Sequence, residues 1–186
     1  ELVGVSPTFR EENIETKTRW WESLNQANQQ GASMIMTNNI LVTIYTFAFG
    51  ATLGIGTLFY LAVNGANIAS VVALTYQAGF GNELVTFMVG HGVVELSCIF
   101  IAGGAGLLIG SAMIMPGDLT RADALKTRGM EAVRLMIGVA ILLVVAGTIE
   151  GFVSPVPIDP RIKFGIGGIT GLAMYSYLLL VGREKF

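Results

Sequence analysis

Apolar and polar positions alternate in long blocks along this chain, and the blocks are the length of helices that cross a bilayer. Eight charged residues fall in 1–39: Arg10, Lys17 and Arg19 against Glu1, Glu11, Glu12, Glu15 and Glu22. From Ile40 to Gly117 there are two, Glu83 and Glu95, and from Asp118 to Arg134 there are seven. Only Glu150 interrupts Leu135–Ile158, and Phe164–Gly182 has no charge. A spanning helix needs roughly 20 apolar residues at about 1.5 Å each. The pattern predicts an all-α polytopic bundle with spans near Ile40–Val63, Met130–Ile149 and Ile162–Val181. Thr37-Asn38-Asn39 precedes the first, Asn64-Gly65 ends it, and Pro155, Pro157 and Pro160 follow the second.

The middle is less regular. Leu84–Met115 would be roughly 48 Å long as one helix, so a break at Gly90-His91-Gly92 is expected, leaving His91–Met115 as the fourth span. Ala66–Phe80 is apolar but short. With Leu84–Val89 it reads as a re-entrant or interfacial pair hinged at Gly79-Phe80-Gly81-Asn82, and the alternative is a tilted fifth span. Basic residues distinguish the two. Four spans put Arg10, Lys17, Arg19, Arg121, Lys126, Arg128, Arg134, Arg183 and Lys185 on one side and Arg161 and Lys163 on the other. That bias predicts cytoplasmic N- and C-termini, whereas five spans leave six basic residues against five.

Composition agrees with a membrane protein: 53% of the 186 residues are apolar and 13% are charged, against about 25% charged in soluble domains. The net charge of −2 leaves no electrostatic footprint for nucleic acid. One cysteine, Cys98, excludes an internal disulfide and a cysteine-based zinc site, and one histidine excludes a two-histidine metalloprotease motif. There is no phosphate-binding glycine motif and no cofactor box, so no cofactor is expected. The chain starts at Glu1 rather than Met, which suggests a longer native N-terminus, and its first 30 residues lack a signal-peptide pattern.

Residues 1–39 read as a cytoplasmic or interfacial segment ahead of a transmembrane domain over 40–186. Ser6-Pro7 starts a polar helix that Gln30-Gly31 can stop. Its stripe of Ile14, Thr18, Trp21 and Leu24 suits either the membrane interface or a protein surface, with Trp20 and Trp21 at headgroup level in the first case. Small-residue pairs recur on the predicted spans: Gly50 and Gly54, Gly106 and Gly110, Gly147 and Gly151, Gly167 and Gly171. Such faces allow close helix packing in a bilayer, inside one bundle or against a partner. Contact with a copy of the chain or with another membrane protein is therefore expected.

Four polar residues break the apolar spans. His91 and Glu95 are one turn apart and share a helical face. In the four-span arrangement Glu150 and Asn64 reach the same depth from two other spans. Ionisable groups within a membrane are costly and are candidates for function. Three readings are open: a hydrogen-bonded cluster with protonated carboxyls that fixes helix register, an ion or proton site, and acid–base catalysis. Whether the group ligates a divalent cation is unknown, and the nearest nucleophiles, Ser97, Cys98 and Ser154, have no characteristic spacing.

Several runs together resemble the stage II sporulation protein M family: Phe87-Met88-Val89-Gly90-His91-Gly92-Val93-Val94-Glu95-Leu96, Ile101 to Leu107, Pro116-Gly117 with Arg121, and Ala146 through Glu150-Gly151-Phe152-Val153-Ser154-Pro155. Phe47 to Thr57 and Asn64-Gly65 fit as well, so the resemblance runs from Thr37 to the C-terminus. It marks His91, Glu95, Glu150, Ser154 and Pro155 as familiar positions. It implies a multi-pass protein of the bacterial cytoplasmic membrane, non-enzymatic and part of a larger assembly linked to peptidoglycan remodelling during engulfment. The alternative is a transporter or channel-like protein using His91, Glu95 and Glu150 for an ion or proton.

Overall fold

The computed structural model describes residues 16, 29–154, 156 and 158–181. These form helices α1 (Gln29–Ala48), α2 (Ile55–Gln77), α3 (Gly81–Ile114), α4 (Arg121–Phe152) and α5 (Pro160–Leu180), with a 3-10 turn at Phe49–Ala51. Among the described residues no strand occurs. The bundle contains four helices, α2 to α5, that are long and apolar enough to cross a membrane. The polar N-terminal helix expected over 6–30, with Trp20 and Trp21, lies outside the described residues, apart from its last two positions. Gln30-Gly31 does not stop a helix there, because it sits in the first turn of α1. Helix α1 also runs unbroken through position 39, the expected boundary between segment and domain.

The number of spans agrees with the sequence pattern, and the expected spans His91–Met115, Met130–Ile149 and Ile162–Val181 coincide with parts of α3, α4 and α5 to within a residue, but the first is not where the pattern put it. The expected span Ile40–Val63 is divided. Its first half ends α1, the chain turns back at 49–54, and its second half begins α2. The turn is built from backbone contacts. Gly50 lies against the Gly106 backbone, and Gly54 lies beside Leu107 and Gly110. A Cβ on Gly50, Gly106 or Gly110 would strike backbone or a buried threonine. Gly54 takes the left-handed conformation at φ 81° that caps α2. Thr57 Oγ1 donates to the Thr46 carbonyl at 2.8 Å, which satisfies an acceptor near the end of α1. Tyr60 then packs on Phe49 at 5.3 Å and on Tyr45 at 6.0 Å between ring centroids. Apolar Phe49, Ala51, Leu53 and Ile55 occupy the reversal with Thr52 as its one polar side chain, so it carries little polar signal.

Ala66–Phe80 is not re-entrant. Most of it is the second half of α2, and the expected hinge at Gly79-Phe80-Gly81 is the tight α2–α3 connection. Gly79 there has φ 85°, and Phe80 N–H returns to the Thr75 carbonyl at 3.1 Å. The expected break at Gly90-His91-Gly92 is also absent. Helix α3 continues through it for 34 residues, about 51 Å. Its ends can project beyond a hydrocarbon core of about 30 Å or its axis can tilt, so length alone does not require a break.

Helix α3 is the central element, touching every other helix. Of its most apolar stretch 50% is buried, against 17–22% for α2, α4 and α5. The large apolar residues of those three, such as Phe59, Ile141, Ile169 and Leu172, point outward as lipid-facing side chains do. The small-residue face of α5 lies on α3: Gly167 meets the Val89 backbone and Gly171 meets the Val93 side chain. Tyr175 and Ser97 hydroxyls add a 2.8 Å hydrogen bond one turn further on.

These contacts also order the ends of the bundle. Met36 of α1 lies against Gly147, while Gly50 lies against Gly106, so α1 runs in the same direction as α3 and opposite to α4. The start of α1, the α2–α3 connection and the α4–α5 connection share one end. The 49–54 turn, the α3–α4 connection and Val181 share the other.

Two outcomes follow. Single cysteines introduced at Gln29 and Asp159 should be modified from one face of a sealed vesicle, and one at Gly117 from the opposite face. Gly50→Val should destabilise the bundle by at least about 1–3 kcal/mol through overpacking on Gly106. Earlier exposure of the buried Cys98 thiol on heating would report it, and Gly168→Ala, where a Cβ meets open space, should leave that transition in place.

Candidate functional site

The polar site forms near the end of the bundle that carries the α4–α5 connection. His91 lies three turns into α3, with Glu95 one turn beyond it on the same face. Glu150 comes from the last turn of α4. Relative exposures of 3% for His91, 7% for Glu95 and 2% for Glu150 place all three inside protein rather than against lipid.

The contacts run in a chain. His91 Nδ1 is hydrogen-bonded to Ser154 Oγ at 2.8 Å. On the other side of the ring, His91 Nε2 is 3.8 Å from Glu95 Oε2, beyond hydrogen-bond length but within ion-pair range. The edge of the ring meets Phe87 at 5.7 Å. Helix α1 brings Asn39 to the level of Glu95. Ser154 is fixed from several directions: its N–H donates to the Ile149 carbonyl, and its own carbonyl accepts from Lys163 Nζ at 2.7 Å. Lys163 belongs to the first turn of α5 after the Asp159 cap.

Glu150 is different. It lies within electrostatic range of Glu95, yet neither carboxyl oxygen has a hydrogen-bond partner among the described residues. Below this group, toward the far end, Val94, Cys98, Val139, Leu143, Ala146 and Met174 form a continuous buried apolar cluster.

Of the residues singled out by sequence, His91, Glu95 and Glu150 therefore come together, and Asn64 does not join them through its hydrogen bond. Its amide donates to the Tyr60 carbonyl on its own helix at 2.8 Å. The reversal at 49–54 changes where α2 runs and so changes the depth of Asn64. The amide at this level is Asn39, which the pattern placed just ahead of the first span, and Lys163 stood there as a basic residue at the start of the last. A lysine in the first turns of an apolar helix, and an Asn-Asn pair inside an apolar run, were the available signals for both. No group of three or more His, Cys, Asp or Glu side chains among the described residues is arranged to hold a metal ion.

The packing glycines are placed as follows. Gly50 and Gly54 sit in the turn rather than on a span, and they pair with Gly106 and Gly110 of the same chain. Gly147 faces Met36, Gly167 and Gly171 face α3, and Gly151 lies half-buried in the last turn of α4.

A multi-span helical membrane protein with an enclosed polar site is the class this structure defines. The sequence profile of the family described as stage II sporulation protein M matches residues 4–155, and the chain belongs to that family. The match takes in the polar segment before Thr37 and ends before α5, whereas the resemblance carried by the sequence motifs begins at Thr37 and continues to the C-terminus. An uncharacterized protein of Methanocaldococcus jannaschii is 28% identical over 138 residues, 71% of this chain, which spans 59% of that relative's length. No solved structure matches the chain significantly.

The contacts at Ser154 and Glu150 predict opposite effects of removal. Ser154→Ala leaves His91 Nδ1 without its hydroxyl partner and should cost about 1–3 kcal/mol. Glu150→Leu removes a buried group that has no hydrogen-bond partner among the described residues and should be neutral or stabilising by about 1–3 kcal/mol. Thermal unfolding in detergent micelles, followed by Cys98 accessibility, measures both.

Proposed function

We propose that this protein is a non-enzymatic component of a larger assembly in the bacterial cytoplasmic membrane, contributing to peptidoglycan remodelling through partner proteins. Membership of the stage II sporulation protein M family carries the reading. The architecture supports it. The membrane-competent helices are joined by the short connections 78–80, 115–120 and 153–159, so the described residues build a bundle with no aqueous domain that could grip a wall polymer. The partner is another membrane protein or a second copy of the chain, held within the bilayer.

The association surface is not the glycine pairs at 50/54 with 106/110 or at 167/171, because their close contacts are made within this chain. A partner docks on the outward apolar faces, where Phe59 of α2 and Leu172 of α5 are about 70% exposed. Membranes from cells depleted of the protein should release fewer soluble fragments from purified wall sacculi than wild-type membranes do. The purified chain alone, in lipid nanodiscs, should release none. Wall cleavage by the purified chain would overturn the non-enzymatic reading, and equal release with and without the protein would overturn the remodelling role.

A further inference from the structure

We propose that Lys126 and Arg134, on the outward face of α4, bind the phosphate groups of anionic phospholipids in the leaflet at the α3–α4 end of the bundle.

The first support is depth. Helix α4 ends at Phe152, an exposed aromatic side chain at the α4–α5 end. A hydrocarbon core of about 30 Å takes up roughly 20 helical residues. Counted back from Phe152, that length reaches Val133. Leu135–Ile149 carries no charge, and Arg134 stands directly before it. Arg134 therefore lies at the edge of the hydrocarbon, at the level of lipid phosphate.

The second support is direction. Positions 126, 130, 134, 137, 141 and 144 follow at spacings of three and four, so they form one stripe along α4. Ile137, Ile141 and Val144 on that stripe are among the outward, lipid-facing side chains. Lys126, Met130 and Arg134 continue it and are exposed in turn. The other side of α4, with Ala124, Ala132, Val139, Leu143 and Ala146, is buried in the bundle. Arg128 shows the contrast, since it turns toward α3 and donates to Ser111 Oγ at 3.0 Å.

The third support is charge. Among the described residues, neither Lys126 nor Arg134 has an ion pair or a hydrogen bond. The acids nearest in sequence are Asp123 and Glu131. Asp123 accepts the Thr120 hydroxyl at 2.6 Å at the head of the helix, and Glu131 lies to one side of the stripe. A cation at the hydrocarbon edge is costly until an anion reaches it. The planar guanidinium of Arg134 can donate two parallel hydrogen bonds to a phosphate. Lys126 lies about 12 Å further out along the helix, and its stem reaches back toward the headgroups. Exposed Met130 and Val133 give the same lipid an apolar surface beside the phosphate. A net negative headgroup fits this stripe better than a zwitterionic one, whose ammonium would meet Lys126 as a like charge.

The test reconstitutes the full chain in phosphatidylcholine bilayers with traces of spin-labelled phosphatidylglycerol or phosphatidylcholine. Electron paramagnetic resonance then reads the fraction of each label immobilised at the protein surface. The wild-type chain should immobilise phosphatidylglycerol in preference. Arg134→Gln should lower that preference by up to about fivefold, and K126Q with R134Q should lower it further. Arg134→Lys should keep most of it. Arg121→Gln removes an exposed cation of the same helix that is off the stripe, and it should leave the preference unchanged. Protection of the buried Cys98 thiol reports the fold of each variant. Equal immobilisation of the two lipids by the wild-type chain, or an equal loss in Arg121→Gln, would overturn the proposal. So would displacement of phosphatidylglycerol by inorganic phosphate at constant ionic strength, which would assign the stripe to free phosphate instead.

Discussion

The close approach of backbone to backbone along α3 is the constraint on which the rest of this structure depends. Lipid chains are as apolar as leucine, so burying apolar side chains adds little to helix association inside a bilayer. Contact area and hydrogen bonds must do it. Gly106 and Gly110 let the 49–54 turn sit directly on α3, and Gly167 lets α5 reach the Val89 carbonyl. Each contact exists only because no side chain intervenes. Once the turn is seated, α1 must run beside α3, and this brings Asn39 level with Glu95. The polar site therefore follows from packing contacts some three turns away from it.

Within that frame, the polar groups bind the elements together more specifically than apolar contact does. Ser154 links the α4–α5 connection to His91 through its hydroxyl and to Lys163 through its carbonyl. Thr57 joins α2 to α1, and the Ser97–Tyr175 pair joins α3 to α5. A hydrogen bond between helices sets rotation and register, where apolar surfaces alone would permit sliding. Glu150 is the exception, a buried carboxyl with no hydrogen-bond partner among the described residues. Its position beside a well-bonded network is what separates it from the structural polar residues around it.

Membership of the stage II sporulation protein M family and the bundle geometry lead to one picture. The chain places a small polar site inside a membrane domain whose outer faces are apolar and whose aqueous connections are short.

The sequence by itself determined the all-helical membrane class, because blocks of about 20 apolar residues between charged clusters have few other solutions. It also placed the α2–α3 hinge at Gly79-Phe80-Gly81, the helix end before Pro155, and the shared face of His91 and Glu95, all of which depend on local chemistry and helical spacing. Tertiary structure decided the rest. The turn at 49–54 is apolar, so hydropathy runs straight through it, and only the fit of Gly50 and Gly54 onto α3 selects a reversal over a continuous helix. The Gly90-His91-Gly92 segment has the composition of a break, yet it stays helical where Gly90 and His91 are buried against the end of α4 and the α4–α5 connection. Asn39 replaced Asn64 at the site for the same reason: depth along a span can be read from spacing only when the span is continuous, and this one folds back on itself.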